Sequence, residues 1–419
     1  MMLVMAGGSS SAQVIRMEDV LGTAQVDPLV SRYQSIRDLA LDLKMHDPLI
    51  REISLRVGFN GSVLGDTIYG YLRNEDDIRL QVSFNAFGVR RQQKQVKSAR
   101  LNTITAEQAV LSHAAIVERY EVLSAYAYAL PELKALLRLD SLLQAEHEII
   151  KAMLGTGILD IKVSRILDVE EDRNRVLLDI TEAEDQLQLA KLEIEKYTGN
   201  FSALRLEQLA SIEELKTSVA KMQASGYVTH PDHLALSAEV QLDSAALGYA
   251  SGQNRQVLDY FSVGYQNPLY LERPNKFNTF NNFAFRLGLL VPITANNRYR
   301  KADAILDLQE SQVKMEEASL SRDQAWQIQL AILDGLFKEY SLADERLENS
   351  LIRQMLNNQT LLSNISPLEI VELQIAQQKL VLQQLELAQD IAEAYVELLS
   401  LSGYLAWNPE TNFLAKSSQ

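Results

Sequence analysis

Glu369 and Glu372, in the stretch SPLEIVEL, stand three residues apart and so share one face of any helix that holds them. Such a pair attracts cations, and near a helix start it also suits the positive end of the macrodipole. HPDH (230–233) brings two histidines together, but a proline stands beside them and no carboxylate partner follows at ligand spacing. It reads as a loop rather than a metal site. His147, within AEHEII, reads as a solvated helix residue, and the acidic run NEDD (74–77) as a solvated loop. No nucleophile motif, phosphate-cradling glycine loop or triad can be assembled. The chain has no cysteine, which excludes thiolate–zinc sites, disulfides and cysteine nucleophiles. No cofactor or metal is expected, and an enzyme is the weakest functional class.

The chain has 419 residues and a formal net charge of −15. That charge argues against nucleic acid as a partner, because phosphate binding needs clustered cations. Abundant Ala, Leu, Glu and Gln favour long helices with polar faces. No run of about 18 apolar residues exists, so no transmembrane helix is expected. The opening MMLVMAGGSSSAQ carries a small-residue stretch ending at Ala12, without the basic region and full apolar core of a signal peptide. Residues 1–13 therefore read as a signal-peptide remnant or a flexible N-terminus.

The elements that would position any site occur twice. Alternating stretches at 53–59 (ISLRVGF) and 78–86 (IRLQVSFNA) have counterparts at 260–266 (YFSVGYQ) and 283–291 (FAFRLGLLV). Each pair precedes a long helical region, and each half ends alike, in KLEIEKYTG (191–199) and YVELLSLSG (395–403). Aligning those terminal glycines sets Val176, Ile180, Ala183, Leu187, Ala190, Ile194 and Tyr197 opposite Leu380, Gln384, Leu387, Ile391, Ala394, Leu398 and Leu401. Only Gln384 departs from an apolar 4,3 series, so the chain reads as an internal duplication. The series fits a coiled-coil seam, or an amphipathic helix in a bundle. The preceding helices, about 90–154 and 298–362, would each span roughly 100 Å if continuous. Pro131 should interrupt or kink the first. Pro367, with Ser366 as N-cap, suits the start of the last. The organisation expected is 14–199 as repeat one (helix, strands about 52–64 and 78–88, helical hairpin), 200–232 as linker, 233–403 as repeat two (helix, strands about 258–267 and 282–293, helical hairpin) and 404–419 as tail.

In the strands Ile53, Leu55, Val57 and Phe59 share one face, as do Ile78, Leu80, Val82 and Phe84, and Phe283, Phe285, Leu287 and Leu289. The opposite faces carry Arg56, Arg79 and Arg286. This alternation fits a soluble sheet covered on one side, or a membrane barrel with lipid outside and a wet lumen. The helices already have coiled-coil partners and so do not cover the sheet. Four strands also leave two raw edges, which favours strands pooled between chains. Two chains would give eight strands and three would give twelve. The competing class is a soluble coiled-coil scaffold with a small β-subdomain.

Strand pair, helical hairpin, strand pair, helical hairpin resembles the TolC-like outer-membrane efflux family over about residues 20–403. SFNAFGVRRQQKQVKSAR (83–100) is similar to the family's strand-to-helix junction, with Asn85 at the family's proline position, and Pro292 there in the second half. The family's double glycine is replaced by Gly88-Val89 and Ala295-Asn296. GILDIKVSRILDVEEDR (157–173) resembles the turn before the returning helix. The resemblance implies a mixed α/β membrane protein and a homotrimer. Four strands per chain would enter one shared β-barrel, and long antiparallel coiled-coil helices would form a periplasmic α-barrel. It further implies a passive exit duct in the outer membrane of a Gram-negative bacterium, in a tripartite efflux or type I secretion system. Its partners would be outer-membrane lipid, a periplasmic adaptor protein and an inner-membrane pump. The family's acidic gate falls on Glu369 and Glu372, with Arg165 and Asp168 at the equivalent sites of the first half. Adaptor-contact tips fall on Gly155, Gly157, Asp160, Ser164, Ser363 and Ser366, and the barrel lumen on Arg56, Arg79 and Arg286.

Overall fold

A computed structural model describes residues 14–42, 50–64, 71–84, 89–155, 163–199, 203–205, 209–253, 258–268, 283–289, 295–358 and 365–416. The expected N-terminal segment 1–13 lies outside the described residues. The first pass along the chain gives β1 (Val14–Arg16), α1 (Met17–Gly22), α2 (Pro28–Asp42), β2 (Ile50–Leu64), β3 (Tyr71–Phe84), α3 (Val89–Gly155) and α4 (Val163–Thr198). The joining segment holds β4 (Ala203–Arg205) and α5 (Ile212–Ser225). The second pass gives α6 (Pro231–Gln253), β5 (Leu258–Pro268), β6 (Phe283–Leu289), α7 (Ala295–Asn349), α8 (Leu351–Asn357) and α9 (Pro367–Ser402), and the tail adds α10 (Tyr404–Trp407). Both returning helices stop at the aligned glycines: Gly199 has φ 77 and Gly403 φ 76. That left-handed conformation costs glycine little and ends a helix cleanly.

The 4,3 series is buried as a seam. In α4, Val176, Ile180, Ala183, Leu187, Ala190 and Ile194 are all buried, and in α9 Ile391, Ala394 and Leu398 are. Gln384, the one polar member, is half-buried and donates to Asp344 Oδ1 at 2.8 Å and to the Tyr340 hydroxyl at 3.2 Å, so its amide is satisfied. The interruption expected at Pro131 does not occur, for α3 continues through it. Ala127, Tyr128 and Ala129 before the proline and Ala135 and Leu136 after it are buried, and this packing outweighs one lost backbone hydrogen bond. The second rod breaks instead at Ser350, whose Oγ accepts from the Arg353 amide at 3.1 Å and caps α8.

In space the chain forms two compact units that cut across the two repeats. One comprises residues 1–32, 108–231 and 319–419, the other 33–107 and 232–318. The first has a core of Met17, Val20 and Leu21 packed with Ile116, Tyr120 and Leu123 of α3 and their neighbours on α4, α5, α7 and α9. There the described part of the linker pairs with segments near both termini. β4 pairs in parallel with β1, and Leu209 bridges Ala415. HPDH is not a loop. Pro231 opens α6, where a proline's missing donor costs nothing, and His230 just before it is buried edge-to-face on His113, ring centroids 4.8 Å apart.

The second unit carries one antiparallel sheet in the order β2-β3-β5-β6. β3 begins at Tyr71, earlier than its alternation suggests, so the sequence NEDD lies within a strand: Asn74–Asp77 pair with Gly61–Gly58. Ladder bonds are made by backbone, so charged residues need not end a hairpin. The register aligns each face in rows across the strands. Ile53, Val82, Phe261 and Leu287 form one apolar row, and Leu55, Leu80, Val263 and Phe285 the next. A Cβ on Gly288 would lie 2.2 Å from the ring of Tyr260, its neighbour across β5 and β6, so only glycine fits there without displacing that ring.

Candidate functional site

The first turns of α4 and α9 and the last turns of α3 meet around Arg165. The apolar layer beside them, Leu136, Leu139, Leu143, Val176, Ile180 and Ile375, holds the three helices together. Arg165 donates to Glu146, whose side chain is 3% exposed, and its Nη2 donates to Glu372 Oε1 at 2.6 Å. A buried carboxylate needs such a partner, because leaving its charge uncompensated is costly. Asp172 Oδ2 accepts from Lys379 Nζ at 2.7 Å, again linking α4 to α9. Arg173 Nε donates to Asp140 Oδ1 at 3.1 Å, linking α4 to α3. A hollow of about 210 Å³ lies among Glu146, Arg165, Asp172, Glu372 and Lys379, with Asp168 on its wall.

Glu369 has different partners. Its Oε2 accepts from the Ser366 amide and from the Ser366 hydroxyl, each at 2.8 Å, while Ser366 Oγ accepts from the Glu369 amide at 3.3 Å. This capping box satisfies the first turn of α9. The amide of Ser366, and then its hydroxyl, hold the Glu369 carboxyl below its ordinary range. Glu369 and Glu372 thus share a helix but not a partner.

The structure brings Arg165, Asp168 and Glu372 to one hollow and leaves Glu369 at the cap. Glu146, Asp172 and Lys379 belong to the same cluster and were not singled out in the sequence. Glu146 had a signal, because it follows Leu139 and Leu143 at seven and three residues and so falls on the buried stripe of α3. Gly155 is the last residue of α3, Ser164 is an exposed residue in the first turn of α4, and Ser366 caps α9. Gly157, Asp160 and Ser363 lie outside the described residues. In the sheet, Arg56 stands directly opposite Arg79, and Arg286 opposite Ser262 in the adjoining row, so all three share the polar face. Among the described residues no three His, Asp or Glu side chains are gathered closely enough to hold a metal ion.

No protein-family model matches the chain, and no curated protein does. Solved structures do. CusC, described as a transmembrane channel, is 16% identical, with TM-score 0.64 and 92% of each chain covered. VceC, an outer membrane protein of Vibrio cholerae, is 12% identical at TM-score 0.61, covering 92% of this chain and 96% of its own. The CmeC outer membrane channel of Campylobacter jejuni is 10% identical at TM-score 0.60, covering 94% and 84%. The duplicated strand-and-hairpin chain therefore has the fold of the outer-membrane channels, the TolC-like fold that its sequence resembles.

Proposed function

We propose that the protein is a passive exit duct of the outer membrane of a Gram-negative bacterium, a homotrimer whose helices stand in the periplasm. The observation that carries this reading is the outer face of the sheet. Leu55 is 66% exposed, Phe285 70% and Leu287 60%, and Ile53, Val57, Ile78 and Leu80 are exposed beside them. So large an apolar patch is unfavourable in water and favourable against lipid. Among the described residues β2 and β6 leave raw edges that neither solvent tolerates. Joining β2 of one copy to β6 of the next satisfies both, and three copies give a closed barrel lined by Arg56, Arg79 and Arg286.

In this reading the cluster at Arg165 is the periplasmic gate. Arg165 holds Glu372 with Asp168 nearby, and Glu369 fixes the start of the helix that carries Glu372. The helix ends around Gly155, Gly157, Asp160, Ser164, Ser363 and Ser366 meet a periplasmic adaptor, which connects the duct to an inner-membrane pump in a tripartite efflux or type I secretion system. The duct itself does no chemistry.

The test is conductance of the detergent-solubilised protein in planar bilayers, with its mass measured in the same detergent. Discrete channels from a trimer are expected. Protein that stays monodisperse in water without detergent and forms no channels would instead be a coiled-coil scaffold.

A further inference from the structure

Val228, Thr229 and His230 lead into α6 across the end of α9. The Val228 amide donates to the Ser402 carbonyl at 3.0 Å, and Trp407 Nε1 of the tail donates to the Thr229 carbonyl at 2.9 Å. A Cβ on Gly403 would lie 3.2 Å from His230 Cα, so the segment and the helix end are in close contact. His230 packs edge-to-face on His113 of α3, and His113 Nε2 shares a hydrogen bond of 3.2 Å with Ser400 Oγ of α9. Two imidazoles, 7% and 6% exposed, thus stand where the entry to α6 meets α3 and α9.

Imidazole is the side chain whose charge changes near neutral pH. One charged ring beside a neutral aromatic ring is tolerated. Two charged rings are not, because like charges with centroids 4.8 Å apart and shielded from water repel strongly. The surrounding carboxylates do not offset that repulsion. α6 supplies Asp232, with His233 beside it, and α9 supplies Glu397 one turn before Ser400. α7 supplies Asp323, which accepts from the Tyr227 hydroxyl at 2.7 Å. All three acids are exposed, where their attraction is screened. On α3, His113 is the only ionisable side chain between Glu107 and Glu118.

We propose that His113 and His230 form an acid-sensitive lock. It holds the segment before α6 on α3 and α9 while the pair carries at most one added proton, and releases it when both rings take one. The sign follows from proton counts. The released segment binds two protons below the ordinary imidazole value, about 6.5, and the closed pair binds at most one. Closure is therefore strongest at neutral pH and weakens as pH falls, by about tenfold for each unit below that value. The lock goes beyond the duct reading, and its test requires no transport.

Amide hydrogen exchange of the full chain in detergent reads the lock at Val228. Its protection should fall about tenfold between pH 7.5 and 5.5, once the intrinsic pH dependence of exchange is removed. His230→Phe keeps a ring at the contact that cannot be charged, and His113→Gln keeps a neutral partner for Ser400. With either change the closed and released states bind one proton each, so the fall should vanish. The second variant decides the matter if the first misfolds. His147→Gln, elsewhere on α3 beside Glu148 and Glu170, should keep the full effect. Constant protection in the unaltered chain, or a fall that persists in the folded variants, would overturn the proposal. So would a fall that His147→Gln abolishes.

Discussion

Arg165 Nη2 lies 2.6 Å from Glu372 Oε1, so the returning helix of the first repeat is tied to that of the second where both begin. The same guanidinium neutralises the buried Glu146. Glu372→Gln keeps the shape and weakens the tie, so single-channel conductance should rise while the unfolding midpoint changes little. Arg165→Ala should raise conductance as well, and should also destabilise the fold by about 1–3 kcal/mol because Glu146 is left unpaired. The double variant Arg165→Ala/Glu146→Gln should recover most of that stability and keep the raised conductance. Denaturant unfolding beside bilayer recordings reads both effects.

Glu369 should behave otherwise. Its carboxylate caps its own helix, so Glu369→Ala should fray the start of α9 and leave ion selectivity unchanged. Ser366→Ala removes the cap's other half and should cost about 1 kcal/mol. The sign of the pH effect follows from the lowered Glu369 pKa. The cap's contribution is complete above the unfolded value, near 4.5, and fades as pH falls through the lower folded value. Amide exchange at the first turn of α9, followed across that window, checks it.

The fold was legible because its rules are local and repeated. Alternation marked the strands, the 4,3 series marked the seam, and a glycine at each helix end marked the duplication. Composition misled where backbone or tertiary packing decides. Asn74–Asp77 join a ladder through their main chain, and Pro131 is carried inside a helix by buried neighbours on both sides. The site was half legible. Counting from the glycines, set against the family's gate, pointed to Glu369, Glu372, Arg165 and Asp168, but not to which of them pair. That depends on three helices meeting, and one sequence contains no record of it.

Glu121 supplies the opposite pH sign. Burial and neighbouring carboxylates raise its pKa, so the folded protein holds its proton more tightly than the unfolded chain does. Its effect on stability is therefore least unfavourable below the unfolded value, near 4.5, and worsens as pH rises through the raised folded value. Glu121→Gln should make the protein more stable at neutral pH and flatten that slope. Thermal unfolding from about pH 4.5 to 7.5 tests it, and a Glu121→Gln variant with an unchanged slope would assign the effect elsewhere.

The sheet gives a prediction with a built-in control. Phe285 and Arg286 are adjacent in β6 and so point to opposite faces, and Phe285 is aligned with Leu55, Leu80 and Val263. Phe285→Arg puts a cation on the apolar face and should cost about 2–4 kcal/mol if that face meets the bilayer midplane. Gln81→Arg adds the same charge to the polar face, in the row of Ser54, Ser262 and Arg286. It should leave barrel stability nearly unchanged and alter conductance instead. The two substitutions should therefore separate in heat-modifiable migration of the assembled protein: Phe285→Arg lowers the temperature at which the oligomer dissociates, and Gln81→Arg does not. Equal effects would mean that both faces meet the same solvent, which no membrane barrel allows.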